Sequence, residues 1–113
     1  MEKPILLMKL DALADKSRFN MLQTMIKGSI ATCCDRIEAF ENGCCVADVV
    51  QLTGLSQPTV SHHLKVLEQA SLIRKELRSP WTCYFPNPEG LTDLLDALNQ
   101  ELLPTTKRLK ERT

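Results

Sequence analysis

Aromatic side chains are scarce: one Trp, one Tyr and three Phe in 113 residues. A core built from this chain is therefore aliphatic and expected to be helical. Excess charge of either sign is also lacking, with 14 Lys and Arg against 14 Asp and Glu. That balance excludes a chain that coats nucleic acid by bulk charge, although it leaves room for a local basic face. No apolar run approaches the ~20 residues of a membrane span. The first apolar stretch, Ile5 to Met8, stops at Lys9. With no secretion signal to read, a cytoplasmic protein is expected and a membrane partner is not. The sequence offers no glycine-rich phosphate loop, nucleophile elbow, paired acids or Cys-x-x-Cys at a helix start. An enzyme, including a small thiol oxidoreductase, is accordingly not expected.

What is present begins with five cysteines. Disulfides are disfavoured in a reducing cytosol, and an odd number cannot pair fully within one chain. Thiols available for metal binding or redox chemistry are the natural reading. Charge is also uneven. Residues 28–55 carry four acids and one base, and 81–103 carry four acids and no base. The basic excess lies in 56–80, with Lys65, Arg74, Lys75 and Arg78, and in the tail 104–113.

Apolar spacing then orders the elements within one domain, residues 1–113. Leu6, Leu10, Leu13 and Ala14 sit at helical spacing. Ser17 is a candidate cap for a second helix, with Phe19, Leu22, Met25 and Ile26 as its buried stripe. A third helix is expected from Ser29, with Ile30, Cys33, Cys34, Ile37 and Phe40 on one face. Residues 46–52 make a short helix, Thr53–Ser56 a tight turn, and Gln57 to about Ala70 a helix with Pro58 in its first turn. Val60, Leu64 and Leu67 form the buried stripe of that helix. The period then changes to that of two short strands around Ser79-Pro80-Trp81. A last helix, about 88–111, carries Leu91, Leu94, Leu95, Leu98 and Leu102, and Pro104 must kink or interrupt it. Those leucines read either as a self-association stripe or as packing on the chain's own core. The sum is a mainly α fold with a β-hairpin wing: five to six helices, two short strands, a helix-turn-helix at about 46–70 and a wing at about 72–86.

A helix-turn-helix lays its second helix in the major groove, N-terminal residues foremost. With Val60, Leu64 and Leu67 inward, Gln57, Ser61, His62 and Lys65 face outward. Gln pairs with adenine, Ser and His donate or accept, and Lys suits phosphate or guanine. Ser56 is placed as N-cap and phosphate neighbour, and Thr59 reaches toward a thymine methyl. Arg74, Lys75 and Arg78 add wing cations. A solvated polar face is the plainer alternative, and His63, beside the buried stripe, reads as a half-buried packing residue. A protein-interaction module or metal carrier without DNA binding is the other class to weigh.

The runs Leu10-Asp-Ala-Leu-Ala-Asp-Lys-Ser-Arg-Phe-Asn-Met-Leu22, Gly54-Leu-Ser-Gln-Pro-Thr-Val-Ser-His-His-Leu-Lys-Val-Leu67 and Asn87-Pro-Glu-Gly-Leu91 closely resemble the ArsR/SmtB family of metal- and stress-responsive repressors. The resemblance spans roughly residues 8–103 and is most specific over Ser56–Leu67. It implies a homodimeric winged-helix repressor of double-stranded operator DNA, needing no cofactor to bind and losing affinity when an inducer binds. By that likeness Gln57, Thr59, Ser61, His62 and Lys65 read bases and phosphates. The dimer is built by the first and last helices, through Leu6, Leu10, Leu91, Leu94, Leu95, Leu98 and Leu102.

Two departures matter. Residues 28–43 are longer than the family's usual link, and the arsenic-type pair of cysteines one residue apart is replaced here by Cys44-Cys45-Val46-Ala47. Cys33, Cys34, Cys44 and Cys45 remain clustered within 13 residues. Soft thiolates select soft or borderline ions, and the likeness suggests arsenite or antimonite as inducer, with other soft metal ions open. Neighbours on a helix diverge by about 100° at ~3.6 residues per turn. A site is therefore expected to join one or both of Cys33 and Cys34 to Cys44 or Cys45. A helix start, where Cys45 falls, favours thiolate. Thiol oxidation or persulfide sensing is the alternative, and buried packing the plain one. Cys83 reads as structural or as a further ligand. Residues 88–113 contain no histidine, so the zinc- or nickel-type site of the family's last helix is not expected.

Overall fold

The computed structural model describes residues 1–30, 32 and 35–107. Cys33, Cys34 and the part of the expected last helix beyond residue 107 lie outside them. Helix α1 runs Lys3–Leu13 with Pro4 in its first turn, and α2 runs Lys16–Ile26. Its N-cap is Asp15, two residues before the Ser17 expected: the carboxylate accepts the Arg18 N–H at 3.0 Å. The buried stripe of α2 is Met21, Leu22 and Met25, while Phe19 and Ile26 are exposed. The apolar positions of α2 span more than one face, and only one meets the core.

No third helix forms over 29–43 among the described residues. The described residues of this stretch are irregular apart from a 3-10 turn at Ala39–Glu41, capped reciprocally by Glu38 and Glu41. Ser and Asp, present here as Ser29 and Asp35, hydrogen-bond locally as readily as they propagate a helix, and tertiary packing decides. Ile37 is buried on the sheet, and Phe40, expected on the same face, is 83% exposed.

The remaining elements are β1 (Cys44–Cys45), α3 (Val46–Thr53), α4 (Gln57–Gln69), β2 (Ile73–Arg78), β3 (Trp81–Pro86) and α5 (Pro88–Leu102). The five α-helices and strands thus form a winged helix-turn-helix, with one strand more than expected. The sheet is antiparallel with order β1-β3-β2. Gly54 closes α3 in the left-handed region at φ 72° and Ser56 caps α4. The last helix stops at Leu102, before Pro104, short of the residue 111 expected; a 3-10 turn follows at Thr105–Lys107. No helix among the described residues is long and apolar enough to cross a membrane.

The main core joins Leu6, Met21, Leu22 and Met25 to Val49, Val60, Leu64 and Leu67, with Leu72, Ile73, Tyr84 and Leu94. Val60, Leu64 and Leu67 are fully buried, each worth roughly 1.5–3 kcal/mol relative to exposure. They fix which side of α4 is left outward. Arg18 ties three elements together: Nε donates to the Ala12 carbonyl at 2.8 Å, and a terminal nitrogen lies 3.2 Å from His63 Nδ1. Burial pushes the His63 pKa down, which suits a neutral ring beside a guanidinium. His63 is thus the half-buried packing residue expected.

Candidate DNA-reading face and thiol pair

Because opposite residues in an antiparallel ladder share a face, the register Cys44↔Tyr84 and Cys45↔Cys83 puts the adjacent cysteines on opposite sides of the sheet. Cys44 joins Tyr84 and Ile73 in the main core. Cys45 joins Cys83, Phe85 and Ile37 in a second, smaller core on the outer side. Residues 35–43 cover that outer side. Gly43 lies so close to the Phe85 ring that a Cβ there would collide with it.

The edge of this cover is an ion-pair network. Arg78 donates through both terminal nitrogens to Glu41, at 2.7 and 2.6 Å, to the Arg36 carbonyl at 2.6 Å, and through Nε to Glu76 at 2.9 Å. The guanidinium groups of Arg74 and Arg78 each lie 4.5 Å from the Phe85 ring centre. These hydrogen bonds from Arg78 hold the Glu41 carboxyl down at about 2. Arg78 was expected to face DNA, but its guanidinium is used in fastening residues 36–41 to β2. Two of the wing cations remain more open. Arg74 is half exposed and paired with Glu76 at 2.7 Å, and Lys75 is exposed.

The outward side of α4 is as expected. Ser56, Gln57, Thr59, His62 and Lys65 are exposed and Ser61 is partly so. Ser56 Oγ accepts the Thr59 N–H at 3.4 Å and lies 2.9 Å from Thr59 Oγ1. The helix therefore starts with a capped first turn, two hydroxyls and Gln57 at one point, with His62 and Lys65 one to two turns on. Such a helix start attracts phosphate through its N–H groups and dipole, and the side chains have the groups that read base edges.

The thiols divide by environment. Burial raises the Cys44 pKa to about 12, with the Asp48 charge adding to it; such a thiol stays protonated. Cys45 is the N-cap of α3. Its Sγ accepts from the Asp48 N–H, and its own N–H donates to Asp48 Oδ2 at 2.9 Å. Cys45 Sγ lies 3.9 Å from Cys83 Sγ, a thiol–thiol contact. Among the described residues no three His, Cys, Asp or Glu side chains are grouped to hold a metal ion. The described structure therefore separates Cys44 from Cys45, which the sequence places together, and joins Cys45 to Cys83. Nothing in residues 72–86 announced that pairing, because it depends on β1 lying beside β3. Beside Cys45 a cleft of about 480 Å³ opens between α3 and the wing, lined by Val46, Val50, Gln57 and Trp81 among others.

For the expected dimer residues, Leu6 and Leu94 belong to the chain's own core, and Leu10, Leu91 and Leu98 pack partly against it. Leu95 and Leu102 are exposed, as are Ile5, Leu7 and Met8 of α1.

Comparison with known proteins places these features. The model of the bacterial regulatory proteins of the arsR family matches residues 39–75. The arsenical resistance operon repressor of Bacillus subtilis is 32% identical over 87 residues, covering 77% of this chain and 70% of that protein. An arsenic resistance transcriptional regulator of Pseudomonas putida is 31% identical over 80 residues, 65% of this chain and 62% of its own. Among solved structures, an ArsR family transcriptional regulator superposes with a TM-score of 0.67 at 18% identity, over 88% of this chain and 89% of the other. HlyU from Vibrio cholerae gives 0.59 at 19% identity, over 89% and 98%. At those identities the structures speak for the fold.

Proposed function

Because the chain belongs to the arsR family of bacterial regulatory proteins, we propose that it is a repressor that binds operator DNA as a homodimer and releases it when a thiophilic metal or metalloid binds its thiols. It is a DNA-binding transcriptional regulator related to arsenical resistance repressors, and its relatives are not enzymes. Arsenite and antimonite are the inducers that this relationship favours.

The observation that carries the DNA reading is the exposed start of α4. Ser56, Gln57, Thr59, Ser61, His62 and Lys65 present hydroxyls, an amide, an imidazole and an ammonium on the side opposite Val60, Leu64 and Leu67. In the groove, Gln57 and Thr59 lead into the base edges, Ser56 and Lys65 hold phosphates, and Arg74 and Lys75 reach the flanking backbone. Two such units bind half-sites about 34–36 Å apart, one helical turn of DNA.

The inducer reading rests on Cys45 at the head of α3, the helix that carries the turn into α4. Of the thiols expected to take part, Cys45 is placed to bias the helix-turn-helix, Cys44 faces the wrong way, and Cys33 and Cys34 are further candidates. Linkage then requires DNA to weaken inducer binding by the factor by which inducer weakens DNA binding.

The test is fluorescence anisotropy on the DNA upstream of the protein's own gene, with arsenite, antimonite, Cd(II), Zn(II) and a persulfide donor titrated in turn. Release by a thiophilic ion with reductant present is the expected result. Release only by the persulfide donor would make the thiols a redox switch, and no preference for that DNA over random DNA would sink the repressor reading.

A further inference from the structure

We propose that Cys45 and Cys83 form the chelating pair of the sensor, a cross-strand dithiol that captures one trivalent arsenic or antimony centre between β1 and β3. This rests on the reading of the protein as a repressor with a thiophilic inducer, and it names the residues that do the capturing. Cys83, on the wing, is part of the site, and Cys44, next to Cys45 in the chain, is not.

The argument begins with the ladder. Cys45 and Cys83 are register partners on the outer face of the sheet, with their sulfurs 3.9 Å apart. A small rotation of either side chain brings both sulfurs onto one central atom. Cys44 points through the sheet into the aliphatic core. Cys45 lines the cleft between α3 and the wing tip, as do Trp81 and Thr82 of β3, so an arsenical enters at Cys45 and reaches the buried Cys83 from there. Ile37 and Phe85 form the apolar floor around both sulfurs, a surrounding that favours soft, covalent thiolate bonding over hydrated hard cations.

The chemistry balances without an oxidant. Arsenite carries three hydroxyls on arsenic. Two As–O bonds break and two As–S bonds form, each thiol proton leaves with a hydroxide as water, and arsenic stays trivalent. The product joins the N-cap of α3 to the middle of the second wing strand, so the first helix of the reading unit and the wing are held by one bridge. Since Cys45 Sγ accepts the Asp48 N–H, taking up the sulfur disturbs the first turn of α3 directly.

The test uses the intact protein without DNA, titrated with phenylarsine oxide and, in a parallel arm, with arsenite. The readout is the fluorescence of Trp81, the one tryptophan of the chain. We expect a saturable change at one equivalent per chain. Cys45→Ser, Cys83→Ser and Cys83→Ala should each weaken binding at least tenfold, and Cys44→Ser should bind as the parent does. Operator affinity without arsenical and circular dichroism establish that each variant is folded. In the unaltered protein, tryptic digestion after labelling should yield an arsenical bridge between fragment 37–65 and fragment 79–107, which bypasses any folding defect of a Cys83 variant. Parent-like binding by the Cys83 variants with no such bridge, or a loss in Cys44→Ser equal to that in Cys45→Ser, overturns the assignment. If arsenical binds at Cys45 and Cys83 but leaves the operator complex intact, the site stands and the reading of arsenicals as inducers falls. If the Cys45 and Cys83 variants still release operator at parental arsenite concentrations, the repressor reading stands and this site falls.

Discussion

Adjacent residues in this chain have opposite chemistry because a strand alternates its faces. Cys44, its pKa raised to about 12 by burial, carries far less thiolate than an exposed cysteine. In the folded protein near pH 8, alkylation followed by mass spectrometry should leave Cys44 unmodified, and denaturant should expose it at once. Glu41 makes the opposite case. Its carboxyl is held at about 2, from 4.5, chiefly by the hydrogen bonds from Arg78. The folded state thus binds that proton more weakly than the unfolded chain, so the pair contributes stability above about pH 4.5, and the contribution fades as pH falls toward 2. Urea midpoints measured from pH 6 to 2.5 should fall more steeply for the parent than for Glu41→Gln, which is less stable at neutral pH. Equal slopes would mean that the pair adds nothing to folding.

At the scale of elements, two glycines have different duties, Gly54 in the turn of the helix-turn-helix and Gly90 where α5 meets the end of α4. Gly54 has φ 72° and open space around its missing side chain. Gly54→Ala should therefore cost only the left-handed strain, about 1–2 kcal/mol, read as a lower denaturation midpoint with an unchanged slope. Gly90 has ordinary backbone angles, but a Cβ there would run into the Ser71 carbonyl, where α5 crosses the end of α4. Gly90→Ala should cost more than Gly54→Ala, because that carbonyl also accepts the Asn87 side-chain N–H at 2.8 Å and is not free to move. The reading helix can be dissected in the same way. Lys65→Ala should weaken binding to every DNA sequence alike and reduce the salt slope by about one. Gln57→Ala should cost about 1–3 kcal/mol on the operator and relax the preference at one base pair. If both variants behave identically on operator and random DNA, α4 is not the reading element.

At the scale of the whole molecule, the outer surfaces of α1 and α5 expose Ile5, Leu7, Met8, Leu95 and Leu102. These are the exposed apolar side chains that the proposed dimer would cover. Of the leucines named for the dimer, Leu95 and Leu102 are the two that remain outside the chain's own core. Leu95→Asp combined with Leu102→Asp should give a monomer by sedimentation, with unchanged helicity and operator affinity reduced to that of a single half-site. A dimer that survives both changes would place the interface elsewhere.

The order and type of most elements followed from the sequence alone. The stripe Val60, Leu64 and Leu67 has a helical period that no strand tolerates, Gly54 and Pro58 mark the turn and the first turn of α4, and the period of two in 73–86 makes a hairpin. The side of α4 left for DNA followed from the same three residues. Local chemistry did not determine residues 35–43, where the expected helix gave way to a sheet surface that buries Ile37. Nor could spacing along the chain foresee that Arg78 would be engaged by Glu41, 37 residues away, or that Cys45 would meet Cys83, 38 residues away. Those pairings exist because two residues of chain, Cys44 and Cys45, add themselves to β3 as a third strand. A strand that short has no period to read, so only the packed structure decides which of its two thiols faces the core and which faces a partner.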